Sequence, residues 1–267
     1  MNDRNLEAAT TLVDIQSRED QRNIAIDKVG VRNVLYPMTL RDCERGIQHT
    51  IGNFSLTVDL PHDHKGTHMS RFLEVLGEHD TEISVESIPE ILAKLRKRLN
   101  SEIAHLQVAF QYFRSKKAPV TGKAGMMGYN CEFIATGGSA EDFVVVVHVP
   151  VTTLCPCSKE ISARGAHNQR GIVTARVRLE SFMWLEELIE MIEATASCEL
   201  FPVLKRPDEK WVTEKAYDNP RFVEDMVREV ALAFDQEPRI KSYEIEVENF
   251  ESIHAHNAYA FLAREKR

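Results

Sequence analysis

The run Phe143-Val144-Val145-Val146-Val147 stands inside the apolar segment Asp142 to Thr153. This composition predicts a strand, and because apolar residues follow one another without alternation, the strand is expected to be covered on both faces. The polar sequence Leu154-Cys155-Pro156-Cys157-Ser158-Lys159-Glu160 comes directly after it. The most buried strand of the predicted fold therefore ends in a loop that carries reactive side chains.

Apolar patterning on both sides of this strand predicts the remaining elements. The other predicted strands are Glu44 to Leu60, a strand around His68 to Leu76, Met127 to Ala135, Gly171 to Glu180, Tyr243 to Glu248 and Ala258 to Ala263. Ser87-Ile88-Pro89-Glu90 is typical of a capped helix start, and helical spacing of apolar residues then predicts one long helix from Ile91 to Phe113. Two further helices are predicted near Phe182–Cys198 and Arg221–Gln236, separated by the polar stretch Lys205–Asn219.

The predicted order is a strand pair, a helix and a strand pair, then a strand, two helices and a strand pair. Such a degenerate duplication indicates an α+β fold, with antiparallel sheets and helices on one face. Residues 1–30 show little apolar periodicity and are expected to form a poorly ordered or draped arm. Residues 31–267 are expected to form the catalytic domain, with approximate modules 31–150 and 151–267.

Composition narrows the class of protein. A hydrophobic content of 43% with 28% charged residues describes an ordinary soluble globular chain, and the net charge of −8 argues against broad nucleic-acid binding. No apolar run is long enough to span a bilayer, and the polar segment Met1 to Arg22 does not resemble a secretory signal. Five scattered cysteines fit reduced thiols in a cytoplasm. Neither a P-loop nor a dinucleotide-binding glycine motif is present.

The loop after the apolar strand combines two thiols with an imidazole, because Gly165-Ala166-His167-Asn168-Gln169-Arg170-Gly171 follows closely. Cysteine acts as a metal ligand or nucleophile only as thiolate, a form that Lys159 and Arg164 would favour. Cys155 and His167 could be half of a divalent metal site or a Cys–His nucleophile pair. Alternatively, the two cysteines are small buried hydrophobic residues. A structural zinc finger is not predicted, because the C-x-C sequence has no second cysteine pair.

Two imidazoles, His254 and His256, flank Ala255 near the end of the chain. They could be solvated polar residues, but with Cys155 and His167 they would complete a ligand set that lacks only a carboxylate or water. Glu209 and Glu224 are the best candidate carboxylates. Alternatively, Glu209 is only a solvated surface residue, and Glu224 only stabilises the N-terminus of a helix through its dipole.

A third cluster of polar residues follows the strand that ends at Leu60. It is either a turn in water or an anion pocket in which Lys and Arg grip phosphates and hydroxyl groups complete the hydrogen bonds. In an acidic protein, concentrated positive charge beside a strand end favours the pocket. The cluster consists of His62, His64, Lys65, His68, Ser70 and Arg71.

The same residues carry a family resemblance. Cys155-Pro156-Cys157-Ser158-Lys159-Glu160-Ile161-Ser162, Gly165 to Arg170, and Ser252-Ile253-His254-Ala255-His256-Asn257-Ala258 resemble type IB GTP cyclohydrolase, the prokaryotic enzyme that opens folate biosynthesis. His64-Lys65-Gly66-Thr67-His68-Met69-Ser70-Arg71 also resembles that family. The resemblance implies a tunnelling fold, built as a two-module subunit that assembles around a barrel in a homotetramer. It also implies conversion of GTP and water to 7,8-dihydroneopterin triphosphate and formate.

Roles for individual residues follow from this resemblance. Cys155, His167, Glu209 and His254 would surround a divalent metal, which could be zinc, manganese or iron, and Cys155 would rank first for catalysis. His256 would shuttle protons, and Glu224 would anchor the guanine edge. Lys65, His68, Ser70 and Arg71 would hold the triphosphate, from a neighbouring subunit.

Two other functions compete with this interpretation. A nitrile reductase of queuosine synthesis shares the fold and uses a covalent Cys nucleophile with NADPH, but it needs no metal-binding carboxylate. A non-enzymatic metal-binding protein, such as a zinc store, would not need the anion cluster and should not bind GTP. The Cys155→Ala variant discriminates between them, since a cyclohydrolase would lose turnover with its assembly intact.

Overall fold

A single antiparallel sheet is the framework of the molecule. The computed structural model describes residues 14–16, 18–78 and 83–266. Its strands are β1 (Ile26–Asp42), β2 (Gly46–Leu60), β3 (Ala104–Lys117), β4 (Ala124–Gly137), β5 (Asp142–Leu154), β6 (Asn168–Leu179), β7 (Cys198–Glu199), β8 (Ile240–Asn249) and β9 (Ala258–Glu265). Its α-helices are α1 (Met69–Gly77), α2 (Ile88–Leu99), α3 (Pro156–Ile161), α4 (Leu185–Glu193), α5 (Arg206–Asp218) and α6 (Val223–Gln236).

The strands follow the spatial order β1-β2-β3-β4-β5-β6-β8-β9, and every neighbouring pair is antiparallel. The apolar strand β5 lies inside the sheet. It pairs with β4 as far as His148 and with the short strand β7 at Val151 and Thr152. Val144 to Val147 are all buried, so the prediction of a strand covered on both faces is confirmed.

The helices that pack on the sheet, α2, α4 and α6, bury alternate side chains of the strands in one core. On β3 these are Leu106, Val108, Phe110 and Tyr112, whereas Gln107 on the opposite face hydrogen-bonds to Glu132 of β4. The order of two strands, helices and two strands occurs twice along the chain, and β5 is the first strand of the second occurrence. Among the helices of the described residues, none is long and apolar enough to cross a bilayer.

The predicted helix from Ile91 to Phe113 is wrong in its second half. Helix α2 ends at Leu99, and Asn100 adopts the left-handed conformation (φ 52°) that commonly terminates helices. The chain then enters β3, where buried residues alternate with a period of two. Leu106, Phe110 and Phe113 also satisfy helical spacing, which is why the pattern misled.

The predicted strand around His68 to Leu76 is also wrong, because these residues form α1. Its buried side chains, Phe72, Val75 and Leu76, follow the i, i+3, i+4 spacing of a helix face. The polar stretch Lys205–Asn219 contains another helix that the sequence did not predict, α5.

The expected N-terminal arm lies partly outside the described residues, namely at positions 1–13 and 17. The described part pairs with a loop: the Asp20 N–H donates to the Asp63 carbonyl at 2.9 Å, and the Lys65 N–H to the Arg18 carbonyl at 3.1 Å. The strand β1 begins at Ile26, inside the segment predicted as arm.

Candidate active site

A cavity of about 280 Å³ opens where β5 and β8 end and β6 begins, beside the start of α6. Three distant segments of the chain line it, because β6 pairs with β5 on one side and with β8 on the other. The polar lining residues are Cys155, His167, Gln169, Arg221, Glu224, Asn249, Glu251, His254 and His256. Every predicted catalytic residue, and every predicted metal ligand except Glu209, therefore faces one cavity.

Cys155 is held at the first turn of α3. As the N-cap residue it has an extended backbone, and its Sγ accepts a hydrogen bond from the Ser158 N–H with an N–S distance of 3.5 Å. Its own N–H donates to the His167 carbonyl at 3.1 Å. The Ser158 hydroxyl donates to the Cys155 carbonyl at 3.1 Å and accepts from the His167 N–H at 3.2 Å. These bonds fix the backbone of Cys155 beside that of His167 across the β5–β6 connection.

The His167 ring is oriented through Nδ1. This atom lies 3.1 Å from Gln169 Oε1 and 3.3 Å from Ser252 Oγ. In the described part of the chain, Nε2 has no hydrogen-bond partner. His167 lines the cavity, and hydrogen bonding through Nδ1 leaves the other ring nitrogen available as a ligand, as in metal-ligating histidines.

His254 and His256 lie on the exposed connection between β8 and β9. Their rings stack, with centroids 5.1 Å apart and planes inclined by 19°. Within residues 14–16, 18–78 and 83–266, no three Cys, His, Asp or Glu side chains converge closely enough to hold a metal ion. The donor types nevertheless fit a divalent metal, since one thiol and three imidazoles line the same cavity.

Glu224 stands in the first turn of α6, where a carboxylate could serve only to cap the helix. Asp225 performs that capping instead, because its Oδ2 accepts from the Phe222 N–H at 2.9 Å. The preceding Arg221 ties the helix start to the cysteine loop, with its N–H donating to the Leu154 carbonyl at 3.0 Å. Glu224 is thus placed at the cavity without a capping role of its own.

Asn249 and Gln169 are site residues that sequence reasoning did not single out. Asn249 is only 2% exposed, and its Oδ1 has no hydrogen-bond partner among the described residues. The opposing residue is Gly171, on which a Cβ would come within 2.4 Å of that oxygen. The glycine therefore makes room for the Asn249 amide. A neutral amide in a sequence does not by itself indicate a functional site, although Gln169 lies inside the motif around His167.

Glu209 does not line the cavity within one chain. It is exposed in the first turn of α5, in a helix where the sequence predicted a charged loop. Cys157 is also exposed and does not line the cavity, although it lies only two residues beyond Cys155. Lys159, which was expected to favour the thiolate, instead donates to the Tyr217 carbonyl at 2.5 Å.

The basic cluster lies apart from the cavity, between the end of β2 at Leu60, as expected, and the first turn of α1. His68 is the N-cap residue, and its Nε2 lies 3.1 Å from Asp14 Oδ2. Arg71 donates to the Arg98 carbonyl at 3.3 Å, while Lys65 and Ser70 are exposed. A helix N-terminus with nearby cations suits an anion, but one chain does not bring this cluster to Cys155.

Next to Glu209, the carboxylate of Asp208 is fully buried and joins α5 to the β3–β4 turn. Its Oδ1 accepts from the N–H groups of Val120 (2.9 Å) and Thr121 (2.8 Å). Its Oδ2 accepts from the Thr121 hydroxyl (2.7 Å) and the Lys205 N–H (2.9 Å). Burial alone would raise the pKa of Asp208, but these hydrogen bonds outweigh it and lower the pKa from 3.8 to about 2.

The depressed pKa predicts an acid-dependent loss of stability. The contribution of Asp208 is present above the unfolded-state pKa and is lost as the pH falls toward 2. We expect Asp208→Asn to unfold at lower urea concentration at pH 7, with a difference from the unmodified chain that shrinks between about pH 4 and pH 2. Asp218→Asn, which changes an exposed carboxylate on the same helix, is the control. A difference for Asp208→Asn that is constant over this range would contradict the assignment.

Comparison with known proteins identifies the family. The model of the family described as "Type I GTP cyclohydrolase folE2" matches residues 12–260. The chain belongs to this family. A GTP cyclohydrolase FolE2 of Magnetococcus marinus is 54% identical over 252 residues, covering 94% of this chain and 95% of the relative. One of Nitrosococcus oceani is 52% identical over 254 residues, covering 95% of both chains. The resemblance carried by the cysteine, histidine and basic motifs is therefore confirmed.

Solved structures with a similar fold were found. A urate oxidase from Bacillus subtilis 168 aligns with a TM-score of 0.53 at 6% identity, covering 89% of this chain and 98% of that one. A uricase from Bacillus fastidious aligns with a TM-score of 0.56 at 6% identity, covering 92% and 94%. Together with the antiparallel sheet and its one-sided helices, this similarity confirms the predicted α+β tunnelling fold.

Proposed function

We propose that this chain converts GTP and water to 7,8-dihydroneopterin triphosphate and formate, the first step of tetrahydrofolate biosynthesis. The observation that carries the proposal is the cavity around Cys155, which one thiol, three imidazoles and two carboxylates line. Membership of the type I GTP cyclohydrolase FolE2 family supports the same reaction. A cytoplasmic location, where GTP is available, accords with this activity.

Cys155, His167 and His254 would hold a divalent metal. The candidates are zinc, manganese and iron, and availability as well as ligand type selects among them. When bound, the metal supplies a water whose pKa is lowered toward neutrality and which can attack C8 of guanine. Glu209 is the proposed fourth ligand. Because it lies outside the cavity in one chain, its participation requires a rearrangement or assembly that brings α5 closer.

The remaining residues position the substrate and move its protons. The exposed imidazole of His256 stacks on His254 at the rim of the cavity, where it can deliver a proton to the departing guanine nitrogen as the C8 bond breaks. Glu224 would accept hydrogen bonds from N1–H and the 2-amino group of guanine. This pairing uses both carboxylate oxygens and directs C8 toward Cys155.

The triphosphate would be held by Lys65, His68, Ser70 and Arg71 of a neighbouring subunit. The support is their position at the N-terminus of α1, away from the Cys155 cavity of their own chain. The edge strands β1 and β9 each have only one partner strand in the described residues, which leaves sheet edges that subunits could pair or cover. We propose a homotetramer built around a barrel, with two modules in each subunit, approximately residues 31–150 and 151–267.

Purified protein incubated with GTP tests this function. We expect formate and dihydroneopterin triphosphate in equal amounts, because each C8 released as formate leaves one pterin, measured after oxidation by its fluorescence. Formate without pterin, or neither product from folded and metal-loaded protein, would contradict the proposal. In the second case, NADPH oxidation with a nitrile substrate tests the reductase alternative, and metal binding without either activity indicates a store.

A further inference from the structure

We propose that Gln169 is a positioning residue, which fixes the orientation and tautomer of His167 so that Nε2 faces the cavity as a lone-pair donor. The inference rests on the proposed function, because it takes His167 to be a metal ligand. Nothing in the sequence motifs assigns this role to Gln169. It follows from a chain of hydrogen bonds that links the buried Thr153 and Gln169 to the partly buried His167.

The chain of hydrogen bonds begins on β5. Thr153 is fully buried and is the direct register partner of Gln169 on β6. The Gln169 Nε2 donates to Thr153 Oγ1 at 3.0 Å, and Gln169 Oε1 lies 3.1 Å from His167 Nδ1. Gln169 itself is only 8% exposed. The Gln169 amide is therefore held between Thr153 and the His167 ring. Because the glutamine is buried, water competes poorly for its hydrogen bonds.

The chemistry of an amide oxygen sets the tautomer of the imidazole. A carbonyl oxygen can only accept, so Nδ1 must carry the proton and Nε2 of the neutral ring must carry the lone pair. With the amide reversed, its NH₂ group would face Nδ1, and the ring proton would move to Nε2. Nε2 would then carry an N–H group, which cannot bind a metal. In the structure the amide is oriented with Oε1 toward Nδ1 and Nε2 toward Thr153 Oγ1. The hydroxyl groups of Thr153 and of the exposed Ser252, whose Oγ lies 3.3 Å from Nδ1, can each donate or accept, so neither by itself imposes a tautomer on the ring.

Equilibrium metal affinity tests the proposal without measuring turnover. Metal-free protein is titrated with Zn²⁺ against a chromophoric chelator, and with Co²⁺ while the visible absorption of the bound ion is followed. Gln169→Leu is expected to weaken Zn²⁺ binding by about 10- to 100-fold, the usual effect of removing a hydrogen-bond partner of a ligating histidine. Gln169→Glu keeps an acceptor oxygen at Nδ1 and is expected to retain the affinity and the Co²⁺ spectrum.

Two controls separate the positioning role from a structural one. Gln107→Leu removes a half-buried glutamine of β3 whose amide bonds to Glu132 at 2.7 Å, far from the site in sequence, and should leave Zn²⁺ affinity unchanged. If Gln169→Leu fails to fold, Gln169→Asn replaces it, because the shorter amide no longer reaches Nδ1. The midpoint of thermal unfolding of each metal-free variant shows whether the fold itself has changed.

The possible results distinguish the inference from the function on which it rests. Unchanged Zn²⁺ affinity in folded Gln169→Leu or Gln169→Asn, together with weakened binding in His167→Ala, would overturn the role of Gln169 alone. Unchanged affinity in His167→Ala would overturn both the inference and the assignment of His167 as a ligand. If Gln169→Glu loses as much Zn²⁺ affinity as Gln169→Leu, the proposed role of Gln169 is also refuted, since an acceptor oxygen at Nδ1 would then not matter.

Discussion

Replacing Cys155 with alanine is expected to lower the turnover of GTP by about a thousandfold or more, equivalent to about 4 kcal/mol of transition-state stabilisation. Cys155 contributes the only thiol that lines the cavity in the described residues, and three imidazoles line the same cavity. Without the thiolate the proposed metal loses a ligand, and the nucleophilic water is no longer generated near neutral pH. The measurement is the rate of formate release from GTP at saturating metal.

Cys157→Ala is the matched control for this variant. It removes an exposed thiol from the same helix turn, two residues away and outside the cavity. We expect it to keep its turnover within about twofold, as exposed substitutions away from the site usually do. Size-exclusion chromatography and circular dichroism should show both variants folded and assembled like the unmodified protein. Turnover retained by folded Cys155→Ala would show that Cys155 is not the central catalytic residue.

Replacing Glu224 with glutamine is expected to lower kcat/KM for GTP by roughly 10- to 100-fold. Hydrogen bonds to a charged acceptor are worth about 1.5–3 kcal/mol, and the amide offers one acceptor in place of two. Since the proposed partner of the second oxygen is the 2-amino group of guanine, the variant should also discriminate less well between GTP and inosine triphosphate, which lacks that group. Steady-state kinetics with both nucleotides measure the two effects.

Glu229→Gln provides the comparison on the same helix, because Glu229 belongs to α6 but does not line the cavity. Its kcat/KM should match that of the unmodified protein for both nucleotides. If Glu224→Gln lowers kcat/KM for GTP but keeps full discrimination against inosine triphosphate, Glu224 does not read the 2-amino group.

Secondary structure was predicted correctly where the pattern of apolar residues favours only one type of element. The continuous valines of β5 fit only a strand covered on both faces, and their burial confirms it. The segment from Leu106 to Phe113 fits two interpretations, because the spacing of Leu106, Phe110 and Phe113 is helical while alternate residues are also apolar. The left-handed Asn100 resolves the conflict by ending α2, and a single asparagine in a polar turn gives little warning of that conformation.

The candidate site could be predicted to the extent that its residues carry distinctive chemistry. Cys155, His167 and His254 were identified by type and motif. The pairing of β6 with both β5 and β8 explains why Cys155 and His167 share a cavity with His254, which lies 99 and 87 positions further along the chain. The buried amides of Gln169 and Asn249 have no such signature, because their importance depends on which neighbours the sheet provides. The positions of Glu209 and the basic cluster relative to Cys155 depend on contacts beyond one chain.

The most direct test of the central claim is to remove and restore the metal while following formate release from GTP. Protein is stripped with a tight chelator, its metal content is verified by elemental analysis, and zinc, manganese or iron is then added back in separate samples. The account predicts that turnover disappears on stripping and returns in proportion to added metal, up to about one ion per chain, as expected for a catalytic site with a bound ion. Full turnover by protein verified to be free of metal would contradict it.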